Sequence, residues 1–476
     1  MMTSRMFRSF VTAGVMVALS ACAIGPDFKR PDAPTTSRYT AVADPTQRII
    51  YGETPPNDWW TVFQNDELNR IMQQAKEGSF TLAAARSSLA QAEELLAARS
   101  GTRLPKVNLT GGTGRQQMGA QALGDFHLPT FTYYAIGADV RYTLDYTGGV
   151  ARSIEQQQAL TEYYQRELDA AWLSLTGNVA VQYFTIVFTQ AQIQALEDLL
   201  AEDRTNLDLV TRAQKAGIVT KVDELSARSQ LAQDATLLPP LRQQLDTARH
   251  ALAVLLGKAP ADWADSQTKF ASASDLRLPD QLPVSLPSEL VRRRPDILSA
   301  EAQLHAATAA VGVATANLYP QITLSGNVGM QSTSTGRLFD ASSLAWGVIG
   351  GITAPLFDGG TLRAERRAAL QAVQVSAANY QQTVLESFGQ VANLLQAARH
   401  DEELLVSQTE AVETANSSVD LARRSYSAGN VGVLTVLDAE RQRLQARLGL
   451  LDAQSKRFVN TAQLLLAVGG SNLSGG

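Results

Sequence analysis

The chain repeats itself, and that repetition limits its folds more than any other property. "ARSSLAQAEELLAARSGTRLPKVNLTGG" from Ala85 returns as "AEAQLHAATAAVGVATANLYPQITLSGN" from Ala300, with Pro105 on Pro320, Leu109 on Leu324 and Gly111 on Gly326. Further along, "KAGIVTKVDEL" from Lys215 returns as "SAGNVGVLTVL" from Ser427, with Gly217 on Gly429, and Gly257 falls on Gly469. The offset between the copies drifts by only a few residues. A pseudo-symmetric single architecture accounts for this better than two unrelated domains.

Each copy reads as helix, strand, loop, strand and then two very long helices. The strands alternate with period two. In "QITLSGNVGM", Ile322, Leu324, Val328 and Met330 are apolar and Gln321, Thr323, Ser325 and Asn327 are polar. "YYAIGADVRYTL" puts Tyr134, Ile136, Ala138, Val140, Tyr142 and Leu144 on one face, against Asp139, Arg141 and Thr143 on the other. "AWGVIGGITAPL" does the same with Trp346, Val348, Ile352 and Leu356, and "KVNLTGG" more weakly with Val107 and Leu109. Strands of about 10 residues cross a bilayer when tilted, and their long, turn-rich connections suit the outer loops of a barrel. Four strands leave two bare edges, which hydrocarbon does not tolerate, and small membrane barrels have about 8 strands. A membrane barrel therefore demands several chains; a soluble sheet packed on the helices is the alternative.

Residues 150 to 216 contain no proline and one glycine, Gly177; residues 361 to 428 contain no proline and only Gly389. Either run would be ~100 Å long as one helix. Coiled-coil spacings of three and four mark Ile193, Leu196, Leu200, Asp203, Leu207 and Val210. They recur at Leu434, Leu437, Arg441, Leu444, Leu448, Leu451, Ser455, Phe458, Ala462 and Leu465. Helices that return after Gly217 and Gly429 make each half a hairpin, and Pro239-Pro240 is expected to kink or break the first return. Strands at one end and hairpin tips at the other describe a rod or tube.

The N-terminus supplies an address. Arg5 and Arg8 precede the apolar run Phe10–Ala21, too short to span a bilayer, so residues 1–21 read as a secretion signal. Leu19-Ser20-Ala21-Cys22 has the form of a lipobox, and Cys22 is the chain's one cysteine. An exported chain with no second cysteine has no intramolecular disulfide to form, which leaves lipid attachment as the use of Cys22. Ala23 is not the aspartate that retains lipoproteins in the inner membrane, so the outer membrane is the expected address. No other apolar stretch approaches ~20 residues, so no transmembrane helix is predicted.

The formal charge is −5, more negative once Arg5 and Arg8 are lost with the signal, and offers no electrostatic footprint for nucleic acid. Charged residues make up 18% of the chain, below the ~25% of ordinary soluble domains. The four histidines, His127, His250, His305 and His400, stand apart from one another and from any ligand set, so no metal or other cofactor is expected. There is no phosphate loop, nucleophile elbow or catalytic carboxylate pair in a recognisable motif, so the chain does not read as an enzyme. "RRRPD" at 292–296 reads as a solvated helix start, and Trp59-Trp60 as a packing anchor.

Several segments together resemble the TolC-type outer-membrane factor family, in its lipoprotein branch. They are "CAIGPDFKRP", "DWWTVFQNDELNRIM", "LPSELVRRRPDILSAEAQL", "NLYPQITLSG", "APLFDGGTLRA" and "YSAGNVGVLTVLDAERQ", spread over nearly the whole mature chain. The resemblance implies an α+β membrane protein: a homotrimer with a twelve-stranded outer-membrane β-barrel, four strands per chain, continued by a long periplasmic α-helical barrel. It implies a passive exit duct for small molecules, partnered by a periplasmic adaptor and an inner-membrane pump of the resistance-nodulation-division type. Carried across residue by residue, Leu434 is a periplasmic plug, Asp438 an acidic ring and Tyr426 a tip tyrosine of the closed gate. The arginine that commonly precedes that tyrosine is Ser425 here. Gly217, Ile218, Gly429, Asn430 and Val431 match adaptor-docking tips. For Leu434 an ordinary coiled-coil position is an equally good reading.

The expected boundaries are 1–21 signal; 22–60 lipid-anchored extended segment; 61–257 first repeat, with strands about 105–115 and 132–145 and helices about 150–215 and 219–256. A linker at 258–285, in what the resemblance implies is an equatorial region, precedes the second repeat at 286–470. That repeat has strands about 320–332 and 344–357 and helices about 361–427 and 431–468, before a flexible 471–476. Two other functions fit the same chain: a lipid-anchored periplasmic coiled-coil spacer without a channel, and a duct for protein secretion.

Overall fold

The computed structural model describes residues 23–40, 48–117, 129–263 and 270–469. The signal, Cys22, His127 and the C-terminal 471–476 lie outside the described residues. In chain order the elements are β1 (Ile49–Tyr51), a short 3-10 turn (Trp59–Phe63), α1 (Asp66–Gly78), α2 (Phe80–Ser100), β2 (Lys106–Gln116) and β3 (Phe131–Leu144). Next come α3 (Gly149–Lys215), α4 (Lys221–Ala235), α5 (Leu238–Leu255), β4 (Leu282–Val284), α6 (Pro287–Leu290) and α7 (Pro295–Ala316). Last are β5 (Gln321–Ser332), β6 (Leu344–Thr353), α8 (Thr361–Ser427) and α9 (Val433–Val468). The chain divides into two compact units, one of residues 1–31, 88–164 and 299–380, the other of the remainder.

The first unit carries an antiparallel sheet in the order β2-β3-β5-β6. Its register aligns the alternating patterns of all four strands. Leu109 pairs with Ala138, Ala138 with Val328, and Val328 with Trp346; Tyr142 pairs with Leu324, and Leu144 with Ile322 and through it Ile352. Directly paired residues share a face, so the apolar side chains form one continuous surface. Trp346, Val348 and Leu109 on that surface are each more than two-thirds exposed. β2 and β6 are the sheet's outer strands. β6 stops at Thr353 rather than near 357, because Pro355 has no amide hydrogen to extend a ladder. Leu356 lies past the strand and is almost wholly exposed.

The strands hand over to the long helices in the same way twice. Asp145 accepts the amides of Val150 (3.0 Å) and Ala151 (2.8 Å) at the start of α3; Asp358 accepts those of Gly360 (2.9 Å) and Leu362 (2.8 Å) at the start of α8. Each carboxylate satisfies otherwise orphan donors at the positive end of a helix dipole. The segment after Cys22 is strapped to this junction. Ile24 donates to the Thr147 carbonyl, Arg152 pairs with Asp27 and Glu155, and Phe28 stacks on His305 at 4.4 Å. A Cβ on Gly25 would sit 2.5 Å from the Gly312 Cα, which explains why this stretch needs glycine on both sides.

The second unit is built on an aromatic cluster. Trp60 meets Trp172 edge-on, Phe63 meets Phe184, and Phe184 and Phe188 both pack on Phe458. Trp59 donates to the Thr176 hydroxyl at 3.3 Å. The expected packing role of Trp59-Trp60 holds. Helix α3 is long and apolar enough by composition to cross a membrane, contrary to the sequence reading, but 61% of that window is buried within the protein. Its apolar residues are taken up by this core. β1 and β4 add a short parallel pair that no periodicity announced.

The triple arginine is another correction. Arg292 and Arg293 are exposed, but Arg294 is not a solvated helix start. It grips Asp296 through two nitrogens at 3.0 and 2.7 Å and donates to the Ala467 carbonyl and to Gln390. The first returning helix is two helices, α4 and α5, parted at Thr236–Leu237 rather than one from 219 to 256. Pro239 and Pro240 occupy the first turn of α5, where the amides that they lack would have had no intrahelical partner.

Candidate functional site

The two hairpin tips belong to the second unit and have the same backbone. Beyond α3, Gly217 donates to the Gln214 carbonyl and Ile218 to Ala213; beyond α8, Gly429 donates to Tyr426 and Asn430 to Ser425. Gly217 has φ +75° and Gly429 φ +74°. This is a left-handed helix end, closed by a bond from the residue after the glycine to a carbonyl five residues back, and glycine adopts it without Cβ strain. Nothing lies within 4 Å of where a Cβ would stand on either glycine. Ile218, 77% exposed, and Gly429 and Asn430 present their side chains or backbone to solvent, while Val431 is half-buried.

The turns differ in how the next helix starts. Thr220 caps α4 by a reciprocal pair of bonds with Asp223: its hydroxyl accepts the Asp223 amide, and Asp223 accepts the Thr220 amide at 2.8 Å. The Thr220 hydroxyl also donates to the Asp223 carboxylate at 2.7 Å, and that bond, followed by the one from the Thr220 amide, holds the Asp223 carboxyl below the usual carboxylate range. At α9 the capping residue is Gly432, with no side chain to do this.

The start of α9 carries the expected gate residues. The buried stripe of this helix runs through Val433, Leu437, Glu440 and Leu444. Val433 and Leu437 pack with Val210 and Ala227. Leu434 is one residue off the stripe and 43% exposed, so it is not a coiled-coil core position here. Asp438 lies one turn further on the same open face, with its side chain 51% exposed. Its carboxylate accepts from Arg441 (2.6 Å) and Gln442 (2.8 Å) of its own helix. Tyr426, in the last turn of α8, is 42% exposed. The structure thus brings Leu434 and Asp438 together, with Tyr426 just before the adjoining turn.

Sequence reasoning missed a group of buried charges behind this face. Glu440 of α9 is almost fully buried and paired with Arg423 of α8 and with Arg443 at 2.7 Å; both arginines also reach Glu202 of α3, at 3.3 and 2.8 Å. Beside it, Asp203 of α3 shares a hydrogen bond with Asp234 of α4, whose other partner is Gln230 at 2.7 Å. Burial first, then the charge and hydrogen bond of Asp234 and the charges of Glu202 and Glu440, push Asp203 up to about 7. Burial also raises Glu440, against the opposing pull of its two arginines. The available signal was Asp203 itself, a carboxylate standing in a run of apolar seam positions.

The outer membrane efflux protein family matches residues 71–258 and 286–470, once for each half of the repeat. The pyoverdine export outer membrane protein OpmQ of Pseudomonas putida is 30% identical over 425 residues, which cover 87% of this chain and 88% of that protein. The cation efflux system protein CusC of Escherichia coli is 28% identical over 463 residues, covering 96% and 97%. Among solved structures, the outer-membrane channel OprN superposes with a TM-score of 0.86 at 28% identity, over 94% of this chain and 99% of that one.

Proposed function

The chain belongs to the outer membrane efflux protein family, and on that premise we propose that it is the passive outer-membrane exit duct of a tripartite efflux pump. It takes small molecules from an inner-membrane transporter of the resistance-nodulation-division type through a periplasmic adaptor to the outside. In this reading three chains join their sheets, β6 of one to β2 of the next, into a twelve-stranded barrel continued by a helical barrel in the periplasm.

The observation that carries the reading is the sheet of the first unit. Its apolar residues gather on one face of the sheet, with Phe131 and Ile349 as exceptions on the other, and its outer strands have no strand partner among the described residues. An envelope spacer has no use for such a face, and hydrocarbon requires those edges to be closed. Native mass spectrometry of the detergent-extracted protein is the test: three chains per particle are expected, and a monomer overturns the barrel.

Leu434, Asp438 and Tyr426 form the periplasmic constriction in this proposal, and the tips at Gly217-Ile218 and Gly429-Asn430-Val431 receive the adaptor. Cys22 carries the lipid. Replacing it with Ser is expected to abolish labelling by radioactive palmitate, and undiminished labelling contradicts the anchor.

A further inference from the structure

The sheet's polar face carries a net-positive cluster where the strands meet the helices. Lys106 of β2 and Arg141 of β3 are direct cross-strand partners. Like charges so placed repel each other, and nothing in the fold of the strands requires them. Both line a cavity of about 440 Å³, together with Arg99 from the end of α2. Among the described residues no hydrogen bond or ion pair engages the side chain of any of the three, and all three residues are exposed.

Two acids stand nearby, fewer than the three cations, and neither forms an ion pair with them. Asp145 lines the same cavity, but both of its oxygens are taken by the amides of Val150 and Ala151. Asp139, two residues along β3 from Arg141, accepts from Asn108 at 3.1 Å. Thr143 and Asn317 add a hydroxyl and an amide to the wall. A cavity with three free cations, hydrogen-bond donors and one carboxylate already occupied favours an anion.

We propose that Arg99, Lys106 and Arg141 form a binding site for small soluble anions, carboxylate- or phosphate-bearing, on the polar side of the sheet. The apolar residues Val107 and Val140 neighbour Lys106 and Arg141 in sequence and point to the opposite face, so the site opens away from the surface suited to lipid. The nature of the ligand as cargo in transit rests on the exit-duct reading; the existence of the site does not.

Citrate is the probe, titrated onto the purified, detergent-solubilised full protein and followed by saturation-transfer NMR. Wild type is expected to give a saturable signal that weakens as KCl is raised. Arg99→Gln/Lys106→Gln/Arg141→Gln should raise the apparent Kd about tenfold, each exposed ion pair being worth a factor of a few. Lys106→Arg/Arg141→Lys, which keeps the charge, should stay within about twofold of wild type, and Arg99→Gln alone should weaken binding even if the triple variant misfolds. No citrate signal from wild type, or equal affinity in the neutralised variants, overturns the site. So does loss of a co-purifying phosphorylated lipid from the triple variant with citrate binding unchanged. A preparation that conducts but ignores citrate defeats the site alone; one that binds citrate but never conducts defeats the duct alone.

Discussion

The two helical hairpins share one backbone plan and differ in how their returning helices begin and run. Each has an outgoing helix of 67 residues and the same glycine turn. The first returns as α4 and α5, broken at Thr236–Leu237, and its tip is fastened by Thr220 and Asp223. The second returns as the unbroken 36-residue α9, whose first turn has no side-chain cap. Leu434 and Asp438 stand on that second, less fastened start. The duplicated backbone carries a side-chain cap at one tip and none at the other, and where the hairpins meet they are joined by charge rather than by apolar contact alone.

That difference can be tested by breaking the joint. Glu440→Ala leaves Arg423 and Arg443 without their buried partner and is expected to cost about 3 kcal/mol, seen as a lower thermal midpoint. A change below about 0.5 kcal/mol would mean that Glu202 alone holds the arginines. A smaller effect is expected at the neighbouring acid pair. The folded protein holds the proton of Asp203 up to about pH 7, well above the 3.8 of an ordinary Asp. The stability contributed by that bound proton is therefore full at pH below 3.8 and lost as pH rises through 7. After allowance for solvent screening, Asp203→Asn should flatten the thermal midpoint between pH 5 and 8 by about 2 kcal/mol of pH dependence. An unchanged pH profile would show that the pair does not titrate in this range.

The tips give the smallest effects and the sharpest contrast. Gly217→Ala and Gly429→Ala should each cost about 1 kcal/mol, since both demand a left-handed backbone and have open space for the methyl. Thr220→Ala should cost about 1 kcal/mol through its lost cap, while Gly432→Ser, which supplies the missing side-chain cap, should stabilise by a few tenths of a kcal/mol. Equal losses at Thr220 and Gly432, measured by chemical denaturation, would erase the distinction between the tips.

Much of the fold was legible because it rests on local periodicity. Strand alternation located β2, β3, β5 and β6 within a few residues, except where Pro355 stopped β6 early, and the proline-free runs gave α3 and α8. The seam positions Leu196, Leu200 and Leu444 do meet in one cluster. What could not be read depends on partners distant in sequence. Arg294 finds Asp296 locally, but its Ala467 carbonyl comes from the far end of the chain, and Glu440 finds Arg423 and Glu202 on other helices. Leu434 matched the spacing of the seam, yet the buried stripe passes through Val433, because a heptad pattern fixes a face only to within one residue at a helix end. Cys22 lies outside the described residues, so the lipid anchor rests on the sequence.

The most direct measurement is single-channel conductance of the purified protein in a planar bilayer, beside the Leu434→Ala/Asp438→Ala variant. The expected result is small or rare openings in wild type that become large and sustained in the variant, as bulk and charge leave a constriction. A folded, inserted oligomer that shows no current in either form would contradict a transmembrane duct gated at the start of α9.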